Sequence, residues 1–559
     1  MDINKRTILW IVFSVSLVVL WNDWMVSTGK PSMFAAATPE QTAKAPGAKG
    51  GKSDLPPVPA PVVGGAVLPG AVAPGAVAPA VAFKSEHITV TTDVVKAEID
   101  TVGGQLRRLE LLKFKDGVDT KKNQVLFEVG QTKTYLAQTG LVGGAGGITF
   151  PNHHTGFVAK PGPRALDGAN EVQLVLEAEQ GGVKLTKTYT FKRGDYVIGV
   201  RHDVTNLSIA PVAPQLYLQL LHDGNKPAGE TMFTSSFTGP TLYTAEKKYE
   251  KLDFAAIEKR GHADHVTRAD NGWVAISQHF FVSAFVPQDK TPREIFTKKV
   301  DTNLYAIGTV IALPTLAPGA TVSNNANLYS GPQEADRLEK VSPGLELVKD
   351  YGMLTIIAKP MYWVMEKIHS VVGNWGWTII VFTILIKLLF FPLSAAGYRS
   401  MAKVKLVTPK MQAIRERFKG DPAKMNQATM ELYKTEKINP LGGCLPILVQ
   451  MPVFIALYWV LQASVEIRGA PWIGWITDLA APDPWYILPV LYAISMFITT
   501  KLNPAPPDPM QAKMMLYMPL AFSVMFFFFP SGLVLYWVVN NVLSIGQQWV
   551  ITKKFAPAK

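Results

Sequence analysis

The sequence predicts a multi-domain membrane protein in which a polytopic α-helical core is joined to one large all-β domain outside the membrane. Of its 559 residues, 18% are charged and 48% are hydrophobic, and the mean hydropathy is +0.15. Soluble domains carry about 25% charged residues. Apolar residues are concentrated near the N-terminus and after Tyr351, whereas residues 83–340 alternate between apolar and polar side chains.

An uncharged apolar run, residues 7–21, follows two basic residues near the N-terminus. It has the composition of either a secretory signal peptide or an uncleaved first span. The small residues 35–37 lie well past this run, and Trp21 and Trp24 suit a membrane interface. We therefore predict that residues 1–27 form a transmembrane anchor.

Residues 28–82 are predicted to form a disordered linker. The segment is rich in proline, alanine and glycine, and repeats Pro-Gly-Ala-Val-Ala at 69–73 and 74–78. Such a composition buries too little side chain to offset the entropy lost on ordering.

Residues 83–340 are predicted to form an antiparallel β-sandwich. Period-2 alternation is clear at 172–177 and 184–190, on either side of the turn residues Gly181 and Gly182, and no long helical pattern interrupts the region. The single cysteine, Cys444, excludes an intrachain disulfide.

Several titratable residues of this region could be offered as an acid–base or metal constellation: His153, His154, His202, His222 and Asp223. Their spacing matches no metal-site signature. We interpret them as ordinary surface or turn residues and predict neither a catalytic nor a metal site.

Helical patterns begin after the β region. Residues 341–372 carry an apolar stripe at helical spacing, which fits either an amphipathic helix in the membrane interface or a plain core helix. The region 373–559 then contains five apolar segments long enough to be spans, which with the anchor makes six: 374–393, 441–463, 485–500, 514–529 and 532–551.

Charge placement predicts the orientation. Residues 394–440 hold ten basic residues against four acidic ones, so this connection is predicted to be cytoplasmic. The other connections alternate accordingly, which places both termini inside and the β domain outside. Thr408-Pro409 and Asp421-Pro422 resemble helix starts and Lys419-Gly420 a stop, so the loop is predicted to be a helical hairpin.

The apolar stripes of the two arms would pack together: Met411, Ile414 and Phe418 on one, and Met425, Ala428 and Leu432 on the other. The basic residues are either a solvated face that also sets topology or a docking surface for anionic lipid or ribosomal RNA.

Lys387 lies within an apolar stretch, residues 384–391, where an ionisable side chain is costly unless water or partners solvate it. It is a functional candidate, although a snorkelling lysine is the alternative because Ser394 is only about 10 Å further along a helix. Thr383 is one turn earlier on the same face, and the third span carries Gln450.

The last span carries a polar stripe, which Asn541 and Gln548 widen. These groups would line one hydrated cavity or form interhelical hydrogen bonds, and the two interpretations are compatible. The stripe consists of Tyr536, Asn540, Ser544 and Gln547.

Three segments resemble the YidC family of membrane protein insertases in its Gram-negative form: 439–446, the triplet Gln450-Met451-Pro452, and 529–537. The resemblance implies a five-helix core that encloses a hydrophilic groove, and a periplasmic β-supersandwich similar to sugar mutarotases, without implying their activity. The family's groove charge, usually an arginine, falls on Lys387. Further groove positions of the family fall on Thr383, Gln450 and Trp537. At the position of Trp537, the family more commonly has a tyrosine.

By this resemblance the protein would be a non-enzymatic insertase and chaperone of the bacterial inner membrane. It would pass nascent membrane proteins from the cytoplasm through a hydrated, positively charged groove into the bilayer, alone or with the Sec translocon. The ribosome, the signal recognition particle pathway and the lipid bilayer would be further partners, with no cofactor and no small-molecule substrate. The hairpin would receive clients or the ribosome through its basic side chains: Arg399, Lys403, Lys410, Arg415 and Arg417.

Two other classes of function fit part of the sequence. A secondary transporter or channel would also use six spans and an intramembrane cation, although the second half does not repeat the first. A membrane-anchored periplasmic sugar-processing enzyme would place activity in residues 83–340.

Overall fold

The computed structural model describes most of the chain after the predicted anchor and linker. The described residues are 54–57, 83–130, 133–144, 147–225, 227, 237–436, 445–503 and 509–555. The predicted anchor (1–27), most of the predicted linker and most of the 439–446 motif lie outside these residues.

Within the described residues, nineteen strands build the β domain. They are β1 (His87–Thr91), β2 (Val95–Asp100), β3 (Gln105–Lys115), β4 (Asn123–Val125), β5 (Glu128–Val129), β6 (Thr134–Val142), β7 (Val158–Ala159), β8 (Glu171–Gln180), β9 (Val183–Lys192), β10 (Val197–Asn206), β11 (Gln215–Asp223), β12 (Gly239–Thr244), β13 (Lys248–Lys251), β14 (Arg268–Ala269), β15 (Trp273–Ser277), β16 (Phe281–Pro287), β17 (Arg293–Asp301), β18 (Leu304–Ala312) and β19 (Thr321–Pro332).

The strands form two antiparallel sheets, which confirms the predicted sandwich. The first sheet has the order β1-β2-β3-β6-β11-β18-β17-β14, with β4 beside β3 and β5 beside β6. The second has the order β13-β12-β15-β16-β19-β10-β9-β8-β7. Many hydrogen-bonded strand neighbours are distant in sequence, such as β10 and β19, so the sheets depend on long-range strand pairing.

Alternation of side chains explains the core between the sheets. In β9 every second residue is buried, from Val183 through Leu185 and Tyr189 to Phe191, as expected when one face of a strand packs inward. Strand β11 is buried on both faces, because Leu216 and Leu218 face the main core while Tyr217 joins a smaller apolar cluster.

A glycine lets two loops of the β domain approach closely. Gly103 has a φ of +77°, and a Cβ at this position would overlap the carbonyl oxygen of His153. Its N–H donates to the carbonyl of Thr155 over 2.7 Å. The backbone after β2 thereby holds the loop that carries His153 in place.

The helical part follows the β domain. Its elements, with the two short helices of the β region, are α1 (Phe254–Arg260), α2 (Ala335–Val341), α3 (Thr355–Val372), α4 (Trp375–Leu389), α5 (Phe391–Arg417), α6 (Pro422–Thr435), α7 (Leu445–Ala463), α8 (Ile487–Leu502), α9 (Pro509–Ser523) and α10 (Ser531–Phe555). Short 3₁₀ turns lie at Leu345–Val348, Gly352–Leu354, Val465–Ile467 and Val524–Phe527.

Among the described residues, no single helix has both the length and the apolar composition to cross a membrane alone. Helices α4 and α5 meet those criteria together, as a pair bent by 66°. The segment predicted at 374–393 thus ends as a helix at Leu389, and a new helix with Pro392 in its first turn begins at Phe391.

The hairpin forms with one helix start fewer than predicted. The restart at Asp421 is confirmed, because its side chain accepts from the N–H of Lys424 at the start of α6. The start at Thr408-Pro409 is wrong, since α5 runs through both residues and the Thr408 hydroxyl donates to the carbonyl of Val404 instead. The six stripe residues of the two arms are half-buried.

The helices share a second apolar core with the loop between α7 and α8. Its fully buried members include Met365, Ile379, Phe382, Leu457, Val460, Ile476, Leu533 and Val534.

The end of α7 and the loop that follows it contact the β domain, the segment after that domain, and α3. Lys349 pairs with Glu466 over 3.0 Å, and the Tyr362 hydroxyl donates to the same carboxylate over 2.7 Å. Arg468 donates to the carbonyl of Lys115 over 2.8 Å, and His279 Nε2 lies 2.8 Å from the carbonyl of Gln462. We name residues 462–468 the joint segment.

Candidate functional site

The site is centred on Lys387, in the last turn of α4, whose side chain is 7% exposed. Its Nζ donates to Ser544 Oγ of α10 over 2.7 Å and to Gln450 Oε1 of α7 over 3.4 Å. One lysine therefore links three helices that are far apart in sequence.

Gln450 extends these contacts along α10. Its Nε2 donates to the carbonyl oxygen of the Asn540 side chain and lies 3.4 Å from the Tyr536 hydroxyl. Ser544 Oγ donates to the Asn540 backbone carbonyl over 2.7 Å. We name these five residues the Lys387 cluster: Lys387, Gln450, Tyr536, Asn540 and Ser544.

A small cavity adjoins the Lys387 cluster. Its volume is about 20 Å³, which is enough for one water molecule. It is lined by Ile386, Lys387, Phe390, Leu393, Ser394, Gln450 and Val453. The ammonium group therefore lies beside a narrow space with apolar and polar walls.

Among the described residues, the Lys387 ammonium has two hydrogen-bond partners, and both are neutral side chains. Lys349 offers a contrast in the same molecule, since its buried ammonium is paired with the Glu466 carboxylate. A buried charge that is hydrogen-bonded but not neutralised retains its attraction for an anionic group.

Four of the six predicted groove residues meet in this cluster, and two do not. Thr383 is buried, and its hydroxyl donates to the carbonyl of Ile379 in its own helix over 2.6 Å. Trp537 packs among aromatic rings, with its centroid 4.6 Å from that of Phe454 and 5.9 Å from that of Tyr492. Its indole N–H is buried without a partner among the described residues.

The polar stripe of α10 divides between two neighbours. Asn540 and Ser544 belong to the Lys387 cluster, whereas Asn541 donates to Ser495 Oγ and Gln548 to Asn503 Oδ1, each over 3.1 Å. The latter two bonds join α10 to α8 and its end. The stripe therefore forms interhelical hydrogen bonds on two faces of one helix, and the hydrated cavity remains a prediction.

Ser394 and Ser544 were not predicted as site residues. Ser544 stands in the predicted stripe, but serine is common in membrane helices and gave no further signal. Ser394 served only to mark the end of the apolar stretch, and it reaches the cavity because the chain bends after Leu389.

The hairpin presents its basic residues outside the Lys387 cluster. Arg399, Lys403 and Lys410 are exposed, and Lys410 pairs with Glu436 across the two arms. The Arg417 guanidinium lies 5.5 Å from the Phe418 ring centroid, and Arg415 is half-buried. The arms also meet where the Tyr433 hydroxyl lies 3.5 Å from the Met411 sulfur.

The interpretation as surface or turn residues is confirmed for His153 and His154, which lie in a turn, and is wrong for His202, His222 and Asp223, which lie in strands. His153, His202, His222 and Asp223 are buried and not surface residues, while His154 is exposed. Burial lowers the pKa of His202 to about 3, with a smaller contribution from Lys187. Polar side chains in strands of this sandwich can face inward wherever a hydrogen-bond partner is available, as Thr139 is for His202.

Two family descriptions match the chain and together cover nearly all of the described residues. Residues 87–364 match the YidC periplasmic domain, and residues 367–558 match the 60Kd inner membrane protein.

Similar proteins match over full length. The chain is 59% identical to the "Membrane protein insertase YidC" of Herminiimonas arsenicoxydans, over 100% of both chains. It is 58% identical to the protein of that name from Janthinobacterium sp. (strain Marseille), over 99% of each. A solved structure described as an active YidC insertase with its first transmembrane domain resolved is 18% identical, with a TM-score of 0.39, over 83% of this chain and 92% of that one.

Proposed function

The chain belongs to the YidC family of membrane protein insertases, and from that premise we propose that the Lys387 cluster is where a client's polar segment leaves the cytoplasm. The protein is an insertase and not an enzyme, it belongs to the inner membrane, and it carries a periplasmic domain. The observation that carries the proposal is a buried ammonium group held by neutral partners from three helices.

The mechanism follows from the cost of moving polar groups through lipid. A short hydrophilic segment of a client loses its hydration in hydrocarbon unless polar groups replace water. Lys387 attracts acidic side chains of that segment, and Gln450 and Asn540 supply neutral donors and acceptors. The client's apolar segment then enters lipid, and burial of its surface away from water drives the transfer.

Thr383 and Trp537 contribute differently in this proposal. Thr383 lies one turn from Lys387 on α4 and has its hydroxyl satisfied within its own helix, so it supplies a small buried side chain beneath the cluster and no free donor. Trp537 has an indole N–H without a partner among the described residues, and this donor is available to a client's carbonyl or hydroxyl group.

We propose that residues 374–393, 441–463, 485–500, 514–529 and 532–551 cross the membrane, with 1–27 as a sixth span and both termini cytoplasmic. Exposed large apolar side chains on the helices support this placement, because soluble surfaces rarely carry so many. They include Leu388, Leu389, Leu491, Ile494, Phe497, Met514, Met518 and Phe522.

We propose three further segments between the anchor and the second span. Residues 28–82 form the linker, 83–340 a periplasmic supersandwich and 341–372 an interfacial segment. In α3, Met361 and Met365 face the protein while Ile356 and Val371 are almost fully exposed, which suits a helix lying against lipid headgroups.

The cytoplasmic hairpin, residues 394–440, would receive incoming chains. Its surplus of six positive charges and the exposure of Arg399, Lys403 and Lys410 favour contact with ribosomal RNA, anionic lipid or acidic segments of nascent chains. We propose the ribosome, the signal recognition particle pathway and the Sec translocon as partners on this basis and on family membership.

The test is complementation in cells depleted of their own insertase. Wild type, Lys387→Ala, Lys387→Arg and Lys387→Glu are compared for insertion of a small membrane protein with a short acidic translocated tail. Wild type and Lys387→Arg should restore insertion, whereas Lys387→Ala should reduce it by about tenfold and Lys387→Glu by more, because a like charge repels the tail.

Lys359→Ala is the matched control, since this lysine is exposed on α3 and lies outside the cluster. Insertion is compared at equal membrane levels of each variant. If Lys387→Ala and Lys387→Glu both insert the client as well as the control does, the charge has no role and the proposal for the cluster fails.

A further inference from the structure

Residues 54–57, a short described part of the predicted linker, lie against the β domain. Leu55 packs against the apolar cluster on the outer face of the first sheet, and Lys298 Nζ donates to the Leu55 carbonyl over 2.7 Å. Asp54 contacts two adjacent histidines of the loop between β6 and β7. A segment outside the sandwich is therefore attached to it at three points.

The Asp54 carboxylate bridges the two imidazoles. Its Oδ2 lies 3.1 Å from His153 Nε2, and its Oδ1 lies 2.8 Å from His154 Nε2. One ligand atom from each of the three residues lies within 4.8 Å of the others. Imidazole nitrogens and a carboxylate oxygen thus converge on one small volume.

His153 is held in the orientation that a metal ligand requires. Its side chain is 2% exposed, and its Nδ1 lies 2.5 Å from the hydroxyl of Tyr217. The backbone N–H of His153 donates to the same hydroxyl over 3.0 Å. Metal-bound histidines nearly always use their second ring nitrogen in such a contact, which fixes the ring and leaves the first nitrogen free to bind.

We infer that Asp54, His153 and His154 form a Zn²⁺ site that fastens residues 54–57 to the β domain. Two imidazoles and a carboxylate are ligands typical of zinc, and three protein ligands leave a fourth position for water. No local spacing in the sequence indicates this metal site, because the aspartate and the histidines are about a hundred residues apart and only the fold brings them together.

The two distances from the Asp54 oxygens to the imidazole nitrogens are close to those in a zinc site, and the two nitrogens lie within 4.8 Å of each other. Ligand atoms about 2.0–2.1 Å from a tetrahedral zinc lie about 3.3 Å from one another. The two N–O distances of 2.8 and 3.1 Å would open by a few tenths of an ångström as the ion replaces the shared protons. His154 and Asp54 are partly exposed and can make this movement.

Zinc titration of the full-length protein in detergent tests the site. The protein is first treated with a chelator and then titrated with ZnSO₄ at pH 7.5 by calorimetry. We expect one Zn²⁺ to bind per chain, and Asp54→Asn and His154→Ala each to weaken binding by about tenfold or more. Co²⁺ in place of Zn²⁺ should give the visible absorption of a tetrahedral complex in wild type alone.

His262→Ala is the control, because His262 is also exposed in the β domain and lies outside the three-residue group. Hydrogen exchange of residues 54–57 should slow when Zn²⁺ is added to wild type and to this control, and remain unchanged in Asp54→Asn. The inference is overturned if wild type binds no zinc, or if Asp54→Asn and His154→Ala bind it as tightly as His262→Ala does. In the latter case the contacts between Asp54 and the histidines are hydrogen bonds only.

Discussion

Three buried lysines of this protein stand in three different environments. Lys187 donates to two backbone carbonyls, those of Gly103 and Thr139, over 2.6 and 2.7 Å. Lys349 is paired with a carboxylate, and Lys387 is bound by neutral side chains. The free energy of burying the amino group is offset differently in each case, by backbone carbonyls, by a carboxylate and by neutral side chains.

The free energy of unfolding of the β domain should rise with pH because of Lys187. Full burial lowers the pKa of this lysine to about 7, whereas the unfolded chain restores an ordinary value near 10.4. Between these values the unfolded state binds more protons, so stability increases as pH rises from about 7 to 10, by about 3–4 kcal/mol. Pulse proteolysis of the full-length protein in urea at several pH values measures this.

Lys187→Met is the comparison for that experiment, because it retains most of the side-chain volume without the titrating group. The variant should show a flatter dependence on pH over the same range, even if the two carbonyls that lose a donor lower its stability overall. A wild-type slope equal to that of Lys187→Met would contradict the prediction.

At the residue scale, the candidate site residues were chosen where one side chain conflicts with its surroundings. Lys387 was identified because a cation stands within an apolar stretch, and Gln450 and Asn540 because they are polar in predicted spans. Lys187 gives a comparable signal, because it lies on the same buried face of β9 as Leu185 and Tyr189. The signal was missed because the threonines and lysines around it suggested a strand with one solvent-exposed face. The alternation of side chains predicts which face of a strand is buried. It does not predict the hydrogen-bond partners of a buried charge, because they come from other parts of the chain.

Helix α10 makes different polar contacts on adjacent faces, and substitutions at its neighbouring asparagines test whether these faces have different roles. Asn540→Leu should reduce client insertion with little loss of stability, because Asn540 belongs to the Lys387 cluster. Asn541→Leu should instead lower the stability of the helical part by about 0.6 kcal/mol, because it loses the bond to Ser495. Insertion assays at equal protein level and thermal unfolding in detergent measure the two effects.

The two substitutions serve as controls for each other, since they introduce the same side chain at successive positions. If Asn541→Leu impairs insertion per folded molecule as much as Asn540→Leu does, the division between the two faces of α10 is wrong.

Helix boundaries were predicted well where a local signal has one meaning. Asp421-Pro422 follows Gly420 at a φ of +106°, so a stop and a start coincide there. Thr408-Pro409 has no stop before it, and a threonine hydroxyl can donate to its own helix while a proline occupies a helix interior at the cost of one hydrogen bond. The sequence contains no local feature that separates these alternatives.

At the scale of the whole molecule, the joint segment connects the β domain to the helices. Lys349→Met should destabilise this connection by about 3–5 kcal/mol, because the Glu466 carboxylate remains partly buried without its cation. Adding Glu466→Gln should recover much of the loss. Unfolding of the full-length protein, analysed as a double-mutant cycle, measures the coupling between the two residues.

In a buried ion pair, the double variant should be more stable than the sum of the two single effects predicts. Two independent contacts would give effects that simply add. Additive effects of Lys349→Met and Glu466→Gln would mean that the salt bridge contributes nothing to the connection, and that Tyr362 and the apolar contacts of the segment hold it alone.

The architecture was predictable in outline and not in its pairings. Alternation over residues 83–340 predicted a sandwich, but the order of its strands depends on long-range pairs such as β10 with β19, which no local pattern specifies. The attachment of residues 54–57 was likewise invisible, because a Pro/Ala/Gly-rich composition indicates a linker throughout. Loop closure over such separations depends on complementary surfaces that exist only after folding.

The joint segment also determines how relatives of this protein could exchange parts during evolution or in the laboratory. A chimaera that replaces residues 83–350 alone would pair a foreign β domain with the native Gln462, Glu466 and Arg468. The natural cassette is discontinuous: it combines the β domain with residues 462–468, which are the end of α7 and the start of the loop that follows it. Grafting both pieces together preserves the native contacts between them. The rest of the helical part can then be that of the recipient protein.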